Sequence, residues 1–285
     1  MAIKHINNYN SGSVCPQLVG NGKVNTHFQM SLTSLLLNRD VKDKFASEFF
    51  YLKFSFRKSP LAPPLTNHYS LIGTAFDYLL RFYVKRLNPH AVEKQWVAES
   101  AFKLFISPMD EIVYSKAEQI LKEAKSNYAK YLKTGKLTEE LLKSSLKLAQ
   151  LDPFHRRFLD QAPSWALQLG IIDPLDVKDL KQLIALVEPA VFKTKRRCLL
   201  NPTFGKASKM VGGADVDLIL DDMMLEVKTT QFPEFKREHF DQLMGYYTLS
   251  RLVRIPAGVS SDSGDKLPLI PELSFHPRSE ATQSF

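Results

Sequence analysis

From Gly212 to Thr230 the chain runs Gly-Gly-Ala-Asp-Val-Asp-Leu-Ile-Leu-Asp-Asp-Met-Met-Leu-Glu-Val-Lys-Thr-Thr, a stretch that admits few folds. Residues alternate with the period of two that belongs to strands. Asp215 and Asp217 take one face, with Val216 and Leu218 on the other. Beyond Asp221-Asp222, Met224, Glu226 and Lys228 share a face, with Leu225 and Val227 opposite. Paired aspartates tolerate turn conformations and bond their own backbone. The spacing therefore predicts a hairpin with Leu220 opposite Met223, hence Asp217 opposite Glu226 and Asp215 opposite Lys228. Directly opposed residues lie about 5 Å apart at Cβ, and like charges so placed destabilise the ladder. A divalent cation that prefers carboxylate oxygen, magnesium or manganese, would remove that conflict. The competing reading is a solvated strand face on which Lys228 balances one acid. The apolar flanks and the common register of the acids favour the cation.

Around this hairpin the chain divides into four parts. Residues 1–30 are polar and rich in Asn, Gly and Ser. Residues 31–189 read as a mainly helical lobe. Within it, Ser31–Leu36 and a helix capped by Asp40, carrying Val41, Phe45, Phe49 and Phe50, precede the loop Ser59-Pro-Leu-Ala-Pro-Pro-Leu. A strong amphipathic helix follows over about 70–88 (Leu71, Ile72, Ala75, Phe76, Leu79, Leu80, Tyr83, Val84), taken as the first helix of the core though it lies within the lobe. Residues 92–107 are ambiguous. Further helices are expected from Ile112 to Leu132, from Thr138 to Leu151 (stopping before Asp152-Pro153), and from an Asp176 cap to Glu188-Pro189. Residues 190–254 hold a strand over Val191–Leu200, the hairpin, and a closing helix from about Glu238 to Val253. Residues 255–285 form a Pro- and Ser-rich tail expected to be loop, short strand or disorder. Helices first, then strands and a last helix, indicate an α/β (α+β) fold.

Composition narrows the partners. A net charge of +8 and a pI near 9.3 favour polyanions. Cys15 and Cys198 are far apart and in no paired motif, which fits a reducing cytoplasm and argues against a disulfide scaffold or a zinc site. The chain shows no leader-like apolar run at its start and no stretch of about 18 apolar residues. The reading is a soluble cytoplasmic protein without a membrane partner. Lys193, Lys195, Arg196, Arg197, Lys206 and Lys209 precede the hairpin with no acid among them, interleaved with Phe192 and Phe204. This segment reads equally as a phosphate-backbone track or as an edge strand kept from aggregating by its lysines. The cluster His155-Arg156-Arg157 reads as ordinary surface. Asp77, Arg81 and Lys85 fall at four-residue intervals on the strong helix. They read first as a solvated i,i+4 stripe, and second as a source of one more acid for the hairpin.

Phosphodiester hydrolysis needs a metal ion to generate hydroxide and a group to orient the water, and these residues can hold the one and provide the other. Asp217 and Glu226 can hold a cation through carboxylate oxygens, and the Val227 carbonyl can add a ligand. Lys228, on the same face as Glu226, can hold water or stabilise developing negative charge. Gly213-x-x-x-Asp217-Leu-Ile-Leu followed by Glu226-Val-Lys228 resembles the core signature of the PD-(D/E)XK nuclease superfamily. Gln242-Leu-Met-Gly-Tyr246 resembles the Gln-x-x-x-Tyr element of its RecB-like and lambda-exonuclease-like branch. The resemblance covers about residues 190–253. It implies a restriction-endonuclease-like core, a central mixed sheet flanked by helices and preceded by the helical lobe. It further implies a magnesium-dependent hydrolase acting on DNA, with RNA as the alternative substrate. Asp217 becomes the metal aspartate, with Asp215 as its rival, Glu226 the second ligand and Lys228 the catalytic lysine. Gln242 and Tyr246 line the nucleic-acid side, and Asp77 is the candidate for the acid on an upstream helix. The alternative class is a non-catalytic nucleic-acid-binding or assembly protein that keeps the fold.

Overall fold

A computed structural model describes residues 61–104, 111–156, 168–230, 235–252 and 270–276. The elements are α1 (Tyr69–Leu87), β1 (Val92–Glu93), α2 (Val97–Leu104), α3 (Glu111–Thr134), α4 (Glu139–Arg156), α5 (Pro174–Ala185), α6 (Pro189–Phe192), β2 (Cys198–Leu200), α7 (Lys206–Met210), β3 (Leu218–Leu220), β4 (Met223–Thr229), α8 (Arg237–Leu252) and β5 (Ile270–His276). The protein is mixed α/β. Its sheet has the order β1-β2-β3-β4-β5. The outer pairs β1–β2 and β4–β5 are parallel; β2–β3 and β3–β4 are antiparallel. Among the described residues no helix is long and apolar enough to cross a membrane.

The sheet is covered on both faces, which explains the unbroken apolar run Leu-Ile-Leu of β3. Leu200, Leu218, Leu220 and Leu225 join Phe76, Leu79 and Leu80 of α1 and Leu180 and Leu183 of α5 in one core. Leu199, Ile219 and Met224 turn the other way and meet Leu243, Tyr246 and Leu249 of α8, with Phe204 and Ala207 around α7. α1 therefore backs one face of the hairpin and α8 the other.

Inside the helical lobe, polar ties fix the angles between helices. The buried Tyr78 hydroxyl donates to Asp152 of α4 at 2.6 Å and accepts from the Ala98 N–H of α2 at 3.0 Å. Glu93 of β1 is held between Trp96 Nε1 at 2.8 Å and the Tyr128 hydroxyl at 2.7 Å. Tyr128 itself stacks on Phe82 of α1, ring centroids 4.3 Å apart.

Several boundaries differ from the sequence expectation. The expected strand from Val191 to Leu200 is a strand only over Cys198–Leu200. α6 occupies its start, because Pro189 at the first helical position favours a turn of helix. α4 runs through Pro153 instead of ending before it. Leu151 and Phe154 are both buried, and that packing outweighs the lost backbone bond. The cap of α5 is Asp173, whose side chain accepts from the Leu175 N–H. Asp176 is instead buried and takes the Thr66 hydroxyl at 2.8 Å and His68 Nδ1 at 3.0 Å. Thr138 does cap α4, and Gly135, at φ 69°, ends α3 in the left-handed conformation. The ambiguous stretch resolves into β1 and α2. The tail beyond 255 supplies β5, so neither the boundary at 190 nor that at 254 limits the sheet. The expected helices before residue 61, the polar first segment, Arg157 and the remaining tail lie outside the described residues.

Replacing Tyr78 by Phe strips the Ala98 N–H of its acceptor in a buried setting. It should lower unfolding stability by about 1–3 kcal/mol, read as a fall in the urea midpoint with little change in slope.

Candidate active site

The hairpin forms with the expected register over three pairs, Leu220 opposite Met223, Ile219 opposite Met224 and Leu218 opposite Leu225, but the expected pairs Asp217–Glu226 and Asp215–Lys228 are not part of the ladder, because the chain before Leu218 turns away to pair Asp215 with Thr203. Asp221 takes a positive φ of 52° in the turn. Regular strand assignment stops at Leu218. At the next position the Asp217 carboxylate, rather than a backbone carbonyl, accepts the Val227 N–H, Oδ2 at 2.6 Å. The Asp217 carbonyl meanwhile turns to the Asn201 N–H at 2.8 Å. The acid is thus built into the end of the ladder. Its charge sits where the pairing gives out.

Glu226 is buried, 4% exposed, and its Oε1 accepts from Lys228 Nζ at 2.6 Å. Its other oxygen, Oε2, is buried with no hydrogen-bond partner among the described residues. From the α1 side comes half-buried Asp77, held by Arg81 Nη2 at 2.6 Å. Arg81 is buried, not part of a solvated stripe as the four-residue spacing suggests. Its guanidinium lies 4.7 Å from the centre of the Tyr78 ring. From the α8 side, Gln242 Nε2 donates to the Tyr246 hydroxyl at 2.7 Å, which leaves the tyrosine its own proton to give. Tyr246 is buried within electrostatic reach of Glu226, Asp215 and Asp217. Asp215 is exposed at the rim, bridged to Thr203.

The electrostatics are those of one coupled cluster. Burial, then the Glu226 and Asp77 charges, raise the Asp217 carboxyl well above the usual range. Burial also raises Glu226, against the pull of Lys228, with Asp215 and Asp77 adding to the rise. Desolvation raises Asp77, opposed by Arg81. Burial works against the Lys228 ammonium, but Glu226 and Asp217 more than offset it and hold the charge. Asp77, Asp217 and Glu226 thus face two cations, Arg81 and Lys228, and their own repulsion is incompletely balanced.

The oxygen donors suit a hard divalent cation, and Glu226 Oε2 is an orphaned acceptor of the kind such an ion would satisfy. In the conformation seen, Asp217 Oδ2, Glu226 Oε1 and Asp77 Oδ2 are each engaged within the protein. Among the described residues no three His, Cys, Asp or Glu side chains converge as a ready ligand set.

The basic residues separate by sheet end. Lys193, Lys195, Arg196 and Arg197 lie at the turn end, opposite the acids. There the Asp221 carboxylate accepts the backbone N–H groups of Lys195, Arg196 and Arg197 at 2.7–3.0 Å, and Arg196 pairs with Asp222. A continuous track from this segment into the acids is therefore not what forms. Lys206 and Lys209 belong to the connection from Leu200 to Leu218 and stand, exposed, at the acid end. Three further residues join the cluster. Arg81 was legible only as half of a spacing. Lys94 follows the two-residue β1, whose length gives no sequence signal; its Nζ bonds Thr203 Oγ1 at 2.7 Å, near Asp215. His239 shares a face of α8 with Gln242 and Tyr246, a spacing readable in the sequence. Burial and then Lys228 and Lys236 push its imidazole down to about 4.

Comparison of the chain with protein-family descriptions, with curated proteins and with solved structures finds no match.

Acids whose proton affinity rises on folding destabilise the native state once ionised. That cost is absent below the unfolded carboxyl range and grows as pH rises through the raised native values. A tenfold rise in proton affinity corresponds to about 1.4 kcal/mol. Asp217→Asn keeps an acceptor for the Val227 N–H and removes the charge. In EDTA it should raise the urea midpoint above wild type at pH 8, and the gap should close near pH 4.

Proposed function

We propose that this protein is a divalent-cation-dependent nuclease with a restriction-endonuclease-like core of the PD-(D/E)XK type, acting on DNA. What carries the reading is one juxtaposition. The Asp217, Glu226 and Lys228 side chains of the hairpin lie within electrostatic reach of one another, of Asp77 on α1 and of Tyr246 on α8. The order α1, antiparallel hairpin, α8 and parallel β5 supports the same reading.

Asp217 and Glu226, with Asp77 or Asp215 and the Val227 carbonyl in reserve, would hold magnesium or manganese. That ion supplies charge neutralisation at the phosphate and lowers the pKa of a bound water. The chain's own groups do the rest. Lys228 is held protonated, so it serves as an electrostatic and orienting group, not as the base. From its place beside Glu226 Oε1 it can hold an attacking water or meet negative charge developing on a phosphate oxygen. Tyr246, oriented by Gln242, offers its proton to a phosphate oxygen. Arg81 fixes Asp77 and keeps it from swinging into solvent. The net reaction is attack of water on phosphorus with the ester oxygen leaving as an alcohol.

The second reading, a nucleic-acid-binding or assembly protein without cleavage, draws on the absence of a converged ligand set among the described residues.

Labelled linear, circular and single-stranded DNA, and RNA, would be incubated with magnesium, manganese or EDTA. Wild type should cleave with the metals and not with EDTA. Lys228→Ala and Glu226→Ala should each lose about a hundredfold or more in rate. Undiminished cleavage by either variant sinks the mechanism; no cleavage by wild type on any substrate favours the second reading.

A further inference from the structure

The connection from β2 to β3, residues 201–217, is a braced projection at the acid end of the sheet. Its base continues the ladder: the Asn201 N–H donates to the Asp217 carbonyl at 2.8 Å, and the Val216 N–H to the Pro202 carbonyl at 3.1 Å. Thr203 bridges Asp215. Above that base, Ser208 Oγ accepts the Phe204 N–H at 2.6 Å and donates to the Ala214 carbonyl at 2.7 Å. The Gly213 N–H closes on the Ser208 carbonyl at 2.7 Å. The return turn needs φ of 80° at Gly212 and 114° at Gly213, which glycine alone adopts without strain. Underneath, Phe204 and Ala207 are buried, and the Phe204 ring lies 5.6 Å from that of Tyr246.

The outer side of this projection is different in kind. Lys206 and Lys209 are exposed, and Met210, between Lys209 and the glycine turn, is 74% exposed. From Asn201 to Ala214 these two lysines are the charged residues. Among the described residues neither forms an ion pair, whereas Arg196 at the other end of the sheet is paired. Lys94 adds a third cation at the base through Thr203. A rigid support thus holds unpaired cations and a solvent-facing thioether next to the acids and to Tyr246.

We propose that this outer face binds a nucleic-acid strand with unpaired bases. The backbone phosphates lie along Lys206, Lys209 and Lys94, and a base rests on the Met210 side chain. Cations that neutralise phosphates provide the sequence-independent part of such binding. A polarisable thioether makes favourable contacts with aromatic rings. The proposal deepens the nuclease reading and rests on it for the class of substrate; it selects an open strand over a closed duplex.

Binding of fluorescein-labelled oligothymidylate and of a closed circular duplex would be followed by anisotropy in EDTA, over a range of salt, using the full chain. Circular dichroism would verify that each variant is folded. Lys206→Ala/Lys209→Ala should weaken oligothymidylate binding about tenfold and flatten the log–log salt slope by about 1.4, two phosphate contacts on a single strand. Met210→Ala should weaken oligothymidylate about threefold and leave the duplex unchanged. Lys193→Ala/Lys195→Ala, at the opposite end, should change neither. The proposal is overturned if the Lys206/Lys209 pair binds like wild type with the same slope. Equal losses from the Lys193/Lys195 pair, or equal effects of Met210→Ala on both probes, overturn it as well. Cleavage separates this outcome from the nuclease reading. Wild type that cleaves while the Lys206/Lys209 variant binds normally removes the surface and keeps the nuclease. Wild type that binds through Lys206 and Lys209 but never cleaves keeps the surface and removes the nuclease.

Discussion

The Asp217 carboxylate on the Val227 N–H is the contact on which the rest of the site depends. An antiparallel ladder extended by one more pair would set Asp217 and Glu226 side by side, with strong repulsion. Instead β3 ends at Leu218, and the aspartate side chain takes over the role of the missing backbone acceptor. This holds the carboxylate at a fixed height beside β4 and frees its carbonyl to start the 201–217 projection. One substitution of acceptor therefore ends a strand, positions an acid and anchors the basic excursion. Around it the acids are kept together by packing, not by mutual attraction. Phe76, Leu79 and Leu80 press α1 on one face of the sheet, and Leu243 and Leu249 press α8 on the other. Charge in that gap is costly in proportion to its burial, and the raised proton affinity of Asp77, Asp217 and Glu226 is the mark of that cost.

Arg81 and Lys228 set the limits of this arrangement. Each is held near an acid from its own element, Asp77 one turn before Arg81 and Glu226 two residues before Lys228. Local pairing of this kind survives small movements of α1 against the sheet, because each cation travels with its acid. Asp217 has no such partner on its own strand. Its compensation is a backbone N–H and the field of Lys228, and burial with the neighbouring acid charges raises its proton affinity.

Much of the hairpin was legible because its signals are local. The alternation on either side of Asp221-Asp222 sets the register, and the i,i+4 spacing of Gln242 and Tyr246 places both on one helical face; the structure keeps the register over Leu218–Leu220 and the shared helical face. What was not legible depends on distant packing. Arg81 reads as surface in a helix wheel, yet Tyr78 and the acids of another element enclose it. The two residues of β1 are too few to show a period, so Lys94 could not be placed beside Asp215. Pro153 reads as a stop, and burial of Leu151 and Phe154 carries α4 through it. The Lys193–Arg197 segment looked like a lead-in to the acids because the two are near in sequence. An antiparallel pair reverses that proximity: the residues just before β2 sit at the end of β3, by the turn.

The sheet also spans the division at residue 190, through the parallel pair β1–β2. β1 and α1 come from the helical lobe, yet β1 edges the sheet and α1 carries Asp77 to its acid end. Glu93, gripped by Trp96 and Tyr128, ties β1 to the residue that precedes α2 and to α3. The position of Lys94 therefore depends on the aromatic cluster of the lobe, and that of Asp77 on the packing of α1 against α4 and α5. The cluster at the hairpin is not a property of the residues 190–254 alone. It is completed by side chains more than a hundred residues earlier, held in place by the core that both parts of the chain share.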